Sequence, residues 1–261
     1  MSVGEWILTA MSRDPGTPDY AGGTATTTLD NALDFLEKTV PNFRAMTRDR
    51  SVLDFGCGLG LQAAALARLS PTARVVGVDL PRPILQDRWR QYDAPNLTLT
   101  TELPDGELFD IVYSCSSFEH FADPAHILTL MCARAKPNGG LVVVSFAEPW
   151  FSPHGSHMDG FTRLPWVNLL FTEKTVLKVR SRYRSDGARR YEDVEGGLNR
   201  MTVARFERLM RGSGMRVQSL RLFPVKGLPV VSHIPVVREL MTAAASCVLQ
   251  RTDSDGATTR R

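Results

Sequence analysis

Short unbroken apolar runs alternate with amphipathic stretches through much of this chain. Runs of five to seven residues stand at 51–55, 74–80, 109–114 and 141–146, and a short third strand is expected at 97–100. Apolar runs without polar alternation are expected of parallel strands covered on both faces. The stretches between them carry helical signals. Leu29, Leu33, Leu36 and Val40 form a stripe that Pro41 ends. An Ala-rich segment fills 61–69, and a further helix is expected over 83–91. Asp123 is a good N-cap with Pro124 at the first helical position; Ile127, Leu130, Met131 and Ala135 mark the inner face. Strands alternating with helices predict an α/β fold, a mostly parallel sheet with helices on both faces.

The rhythm breaks after Phe146. Residues 147–199 hold aromatics, His154, His157 and many arginines, and are too long for a simple connection. They are read as an inserted cap. Alternation resumes with a helix at 203–211, a strand at 217–223, a short helix at 235–241 and a last strand at 245–250. Residues 1–28, rich in Gly, Thr, Ser and Pro, are expected to be loop-like, with Trp6 and Ile7 as surface anchors. The polar stretch 252–261 is expected to be disordered. The resulting plan is an N-terminal segment and helix (1–50), a core (51–146), a cap (147–200), the rest of the sheet (201–251) and a tail.

Composition changes this picture little. Hydrophobic residues make up 43% and charged residues 23% of 261, and the net charge of +3 does not call for nucleic acid. Cys57, Cys115, Cys132 and Cys247 are scattered without a C-x-x-C, which suggests reduced thiols and a cytoplasmic location. No signal peptide and no run of ~18 apolar residues is evident. The expected partner is therefore a small molecule, with neither membrane nor nucleic acid; the oligomeric state stays open.

The chemistry centres on S-V-L-D-F-G-C-G-L-G at 51–60. A strand, a turn of Gly56, Gly58 and Gly60, and a helix start let a ligand approach the main chain. Asp54, at the strand end, can reach a cation held against that loop. Gly58, Gly60 and Ala63 also fit a loose nicotinamide fingerprint, with Asp79 as its acid. A nicotinamide-dependent oxidoreductase is thus one alternative, and a cofactor-binding protein without catalysis is another.

Four segments in order resemble the class I S-adenosylmethionine-dependent methyltransferases, chiefly their small-molecule, type 11-like branch. V-L-D-F-G-C-G-L-G (52–60) is similar to their glycine loop, and V-V-G-V-D (75–79) to their second strand. F-D-I-V-Y-S-C-S-S-F-E-H-F-A-D-P (109–124) is similar to their fourth strand and the E-H after it, and K-P-N-G-G-L-V-V-V (136–144) to their fifth. The resemblance implies a Rossmann-like sheet of seven strands, the last antiparallel, with S-adenosyl-L-methionine as cofactor. It implies that Asp54 holds the methionine ammonium and Asp79 the ribose hydroxyls. It places Gly56, Cys57, Gly58, Gly60, Leu80 and Ser114 along the cofactor. The family's adenine-binding acid has no clear counterpart in T-T-E-L-P-D-G-E-L (100–108); Glu102 is the candidate, with Thr101 beside it.

The acceptor is expected between the loops after the fourth and fifth strands and the cap. His120, His154 and His157 are the candidate bases, because imidazole titrates near neutrality. His154 and His157 sit in a Gly- and Pro-containing loop that lacks a third strong metal ligand, so no metal is assigned. Gly155 and Gly160 are expected to let that loop move as a lid. The basic run 172–184 is read as a solvated helix face with Val176, Leu177 and Val179 turned inward. Methyl transfer to an oxygen or nitrogen of a metabolite is the expected reaction.

Overall fold

A computed structural model describes residues 1–16, 28–158, 160–194, 196–225 and 234–252. The apolar runs form strands β1 (Val52–Phe55), β2 (Val75–Val78), β3 (Leu97–Thr100), β4 (Ile111–Cys115) and β5 (Leu141–Ala147). Strands β6 (Arg216–Pro224) and β7 (Thr242–Gln250) complete one sheet in the order β3-β2-β1-β4-β5-β7-β6. The first five pair in parallel, whereas β7 is antiparallel to both β5 and β6. A nicotinamide-binding sheet expects its sixth strand beside the fifth in parallel; here β7 stands in that place.

Both faces of the sheet are covered. On one side α2 (Asp34–Thr39), α3 (Phe43–Thr47) and α4 (Leu61–Leu69) bury Leu36, Phe43 and Leu66 against Val52, Ile111 and Tyr113. On the other, α6 (Pro124–Arg134) and α9 (Val203–Arg211) bury Leu128, Met131 and Phe206 against Leu53, Val112 and Val144. The α6 start is built as expected: Asp123 accepts from the N–H groups of Ala125 and His126 at 3.1 and 3.0 Å. Helix α5 (Pro83–Trp89) follows β2, and α10 (Pro235–Met241) precedes β7.

Two expectations change at the N-terminus. The stripe from Leu29 gives helix only over α2, because Thr28 and Asn31 close a turn first. Residues 1–28 are not all loop: α1 spans Val3–Ala10, with Ser2 and Glu5 forming a capping box. Residues 17–27 and the tail from 253 lie outside the described residues.

Between β5 and α9 the chain forms α7 (Val167–Leu170), α8 (Glu173–Arg180) and a 3-10 turn at Tyr191–Asp193. This layer has its own core, in which Leu8 of α1 joins Phe161, Val167, Val176, Val179 and Tyr191. Within the basic run Val176, Leu177 and Val179 are buried and Lys174, Lys178 and Arg182 are exposed. Arg180 departs from that pattern, being buried and paired with Asp186. No helix among the described residues is long and apolar enough to cross a membrane.

Candidate functional site

The loop after β1 is held by its neighbours rather than by its own side chains. The N–H groups of Gly56 and Cys57 both donate to the Val78 carbonyl, at 2.8 and 3.1 Å. Ser117, in the loop after β4, donates to the Gly56 carbonyl at 2.8 Å. A Cβ on Gly56 would stand 2.8 Å from that of Ser117, so glycine is what lets the β1 and β4 loops meet. Gly58 is fixed at both polar groups: its N–H donates to Asp79 Oδ2 at 2.7 Å, and its carbonyl accepts from Trp89 Nε1 at 2.8 Å. The other oxygen of Asp79 accepts from the Leu80 N–H at 2.7 Å. Asp79 thus joins the end of β2 to the glycine loop, and the Leu80 side chain is exposed. The indole of Trp89 is a contact of the glycine loop that the sequence reading missed. Its place near the end of α5 carried no signal beyond an aromatic at helical spacing.

Asp54 lies beneath this loop, 1% exposed, with Oδ2 lacking any hydrogen-bond partner. Burial pushes its carboxyl up to about 7, and the Asp79 charge adds to this. The Tyr113 hydroxyl opposes the shift from nearby but stays outside hydrogen-bonding geometry, since it too lacks a partner. A buried carboxyl oxygen without a partner is costly and is rare in native proteins. Ser114, on β4, is also fully buried with an unpartnered hydroxyl. Cys57 is buried, and its thiol is pushed well up by burial.

Glu102 is exposed, and its recorded tie is a backbone N–H to the Thr100 hydroxyl. Thr101 borders a cavity of about 610 Å³ that runs along the outer edge of β3, lined also by Trp89, Tyr92 and Leu99. The Asp79 N–H donates to the Thr100 carbonyl at 3.2 Å, so Thr101 and Glu102 follow directly on the end of β3 beside Asp79.

A second cluster forms where the β4 loop meets the layer after β5. His120 and His157 pack edge to face, with ring centroids 5.2 Å apart. His120 Nδ1 lies 2.6 Å from the Gly197 carbonyl, which can only accept, so Nδ1 carries the proton and Nε2 the lone pair. Burial lowers the His120 pKa; the Gly197 bond opposes this and the Arg82 charge adds to it. Burial, with the His120 charge, pushes His157 down to about 3. His157 Nε2 has no hydrogen-bond partner, with Glu148 Oε2 3.7 Å away. Glu119 is buried, its carboxyl pushed up to about 8, with Oε2 unpartnered. His154 enters through its carbonyl, which accepts from the His157 N–H at 2.7 Å.

Glu148, His157 and Arg200 line one narrow cleft with Glu119 and Trp150, and all three hold φ between 53 and 56°. Left-handed backbone at non-glycine residues is strained and gathers at functional sites. Nothing in the sequence signals these conformations. Gly155, the expected hinge, is closely packed: a Cβ there would stand 2.4 Å from the carbonyls of Pro149 and Trp150. The same loop is fastened by Trp166 Nε1 to the Phe151 carbonyl and Asn168 Nδ2 to that of Trp150. Among the described residues, no three His, Cys, Asp or Glu side chains are gathered to hold a metal; Asp159 lies outside them.

Residues 28–220 match the family described as "Methyltransferase domain". An uncharacterized methyltransferase of Mycobacterium bovis is 37% identical over 38% of this chain and 51% of its own length. The ubiquinone biosynthesis O-methyltransferase of Bradyrhizobium diazoefficiens is 36% identical over 39% of this chain and 42% of its own. The matches thus span about half the length of these curated relatives or less. Among solved structures, an S-adenosylmethionine-dependent methyltransferase from Mesorhizobium loti has a TM-score of 0.53 at 18% identity, covering 85% of this chain and 100% of that one. The cyclase SpnF has the same TM-score at 15% identity, covering 89% and 86%. These structural likenesses show the fold alone, and one fold carries many chemistries. The family match extends over most of the chain and takes in the glycine loop and the buried Asp54; the antiparallel β7 lies beyond it and completes the seven-stranded sheet, so the chain belongs to the class I S-adenosylmethionine-dependent methyltransferases.

Proposed function

We propose that this protein transfers a methyl group from S-adenosylmethionine to an oxygen or nitrogen of a small-molecule acceptor seated between the β4 loop and the layer after β5. The observation that carries this reading is the paired, neutral His120 and His157 beside the unpartnered carboxyl of Glu119. The cofactor supplies an activated methyl on a sulfonium. The protein has to hold it, place the acceptor in line and take up the acceptor's proton.

Asp54 fits the cofactor's ammonium, because a cation removes the cost of its buried charge. Asp79 fits the ribose: both its oxygens keep lone pairs beyond those used by Gly58 and Leu80. Gly56, Cys57 and Gly58 supply main chain along the ligand, and Ser114 and Leu80 flank it. Thr101 borders the edge cavity and is preferred over Glu102 for the adenine end. We expect Asp79→Ala to weaken cofactor binding by about 1.5–3 kcal/mol, the scale of hydrogen bonds to a charged group. Calorimetry on a folded variant checks this; parent-like affinity would sink the ribose assignment.

His120 is the preferred base. Its Nε2 lone pair is fixed by the Nδ1 bond to Gly197, and it departs less from the ordinary histidine range than His157 does. Its lowered pKa keeps it unprotonated at neutral pH. Glu119 stays protonated there and can donate a hydrogen bond to an acceptor oxygen. The O-methyltransferases among the relatives favour oxygen over nitrogen as the acceptor atom. We expect His120→Ala to lower turnover about 100-fold, the usual scale of general-base loss, with cofactor affinity unchanged. His157→Ala is expected to cost less, and His154→Ala least. With cofactor saturating, the acid limb of the rate should lie below pH 6.5, because burial lowers the His120 pKa. Measuring kcat, cofactor Kd and Tm on the three variants separates this from a structural role. A His120→Ala enzyme of full activity per folded molecule would remove the base assignment.

A further inference from the structure

Helix α1 turns an apolar side to solvent. Glu5 and Leu8 are buried, while Val3 is 76% and Trp6 61% exposed, and Ile7, Ala10 and Met11 also face outward. Positions 3, 6, 7, 10 and 11 form one continuous stripe on a helix of 3.6 residues per turn. Leu169 and Leu170, at the end of α7, are exposed as well. They lie close by, since the ring of Phe171 is 3.5 Å from where a Cβ on Gly4 would stand. An apolar patch of this extent with an aromatic in it marks an interaction surface.

The rim of the stripe is cationic. Lys178 pairs with Glu5 at 2.9 Å, and Arg182 Nη2 lies 3.6 Å from Met1 Sδ. Lys174, one turn before Lys178, is exposed, as are Arg13 and Arg163. Most of the neighbouring acids are already engaged. Glu5 and Lys178 offset each other, Glu173 is bound by Arg200 and the Tyr191 N–H, and Asp186 by Arg180; against the charge of Asp14 stand Arg13, Arg163, Lys174 and Arg182, which leave the rim net positive. The surface therefore offers an apolar, Trp-bearing stripe edged by positive charge. A second copy of the chain would set two such rims against each other, at a Coulomb cost. Anionic lipid headgroups neutralise the rim while the stripe enters the headgroup boundary, as interfacial helices do.

We propose that α1 and the α8 cations dock this protein reversibly onto the surface of an anionic lipid bilayer. The inference is independent of the acceptor reading. It also amends the sequence-based expectation of no membrane partner, which considered spanning segments; docking of this kind needs none.

The test is co-sedimentation of the full chain with vesicles of phosphatidylglycerol and, separately, of phosphatidylcholine. Partition should be about tenfold stronger onto the anionic vesicles and fall with added salt. Trp6→Asp and Ile7→Asp alter exposed positions, so Tm should hold while partition drops by about tenfold. Lys174→Glu with Arg182→Glu should produce a similar loss. The Trp6 emission, obtained by subtracting that of Trp6→Phe, should shift to the blue on anionic vesicles; this readout stands even if an aspartate variant misfolds. Equal partition onto both lipids would overturn the proposal. So would vesicle binding indifferent to Trp6→Asp in a folded variant. A dimer abolished by the same substitutions, with no vesicle binding, would assign the stripe to a second copy instead.

Discussion

Gly58→Val should abolish S-adenosylmethionine binding, by more than about 100-fold, while leaving the fold intact. Among the described residues nothing lies within 4 Å of a Cβ placed on Gly58, so the added side chain starts out into the open space above the loop. The residue holds φ +51°, where a side chain is strained by about 1–2 kcal/mol and a β-branched one by more. Its N–H and carbonyl stay anchored by Asp79 and Trp89. A fall in Tm with complete loss of binding is therefore the expected pair of results, and Gly58→Ala should fall between. Normal affinity in the valine variant would place the crevice elsewhere.

Asp54→Asn should uncouple cofactor affinity from pH and stabilise the empty protein. The folded-state carboxyl is raised from 3.8 to about 7, so its native form prefers to be protonated. A raised acid contributes stability that is full below its unfolded pKa and lost as pH rises toward the folded value. Between pH 4 and pH 7 the empty protein should therefore lose on the order of 4 kcal/mol from this group. The cofactor's ammonium needs the ionised form. Affinity should then weaken by up to about tenfold for each pH unit below 7. Asparagine removes both effects: Tm of the empty protein at pH 8 should rise, and affinity should become weak and flat with pH. Calorimetry from pH 5 to pH 8, with thermal melts of both proteins, reads all of this. A parent-like pH profile in the asparagine variant would show that Asp54 does not meet the ammonium.

The cofactor half of the molecule was legible because local signals and tertiary structure agree there. Strand β3 and helix α4, and beyond them helices α9 and α10, fall on the expected residues, since turn residues bound them locally and Thr202 caps α9 while Pro235 opens α10. The acceptor side was much less legible. His120 and His157 stand 37 positions apart, in two loops separated by α6 and β5, and no periodicity encodes their meeting. Gly155 looked like a hinge because glycine permits motion. Its close packing against Pro149 and Trp150 is a tertiary fact that no local signal carries. Helix α1 could have been found, because Ser2 and Glu5 have capping-box spacing. The Gly- and Thr-rich residues around it outweighed that signal.

The layer over the site also sets an order of assembly. Its core joins α1 to a segment far along the chain. Lys178 meets Glu5 across 173 residues, and the Thr162 hydroxyl meets the Met11 carbonyl across 151. Closing loops of that length is entropically dear and slow relative to the β1–α4–β2 neighbourhood, whose contacts are local. During synthesis the first helix waits, unpartnered, until α8 has been made. In refolding, cofactor affinity should return before the His120–His157 pair forms, and the competence to bind should precede the competence to react.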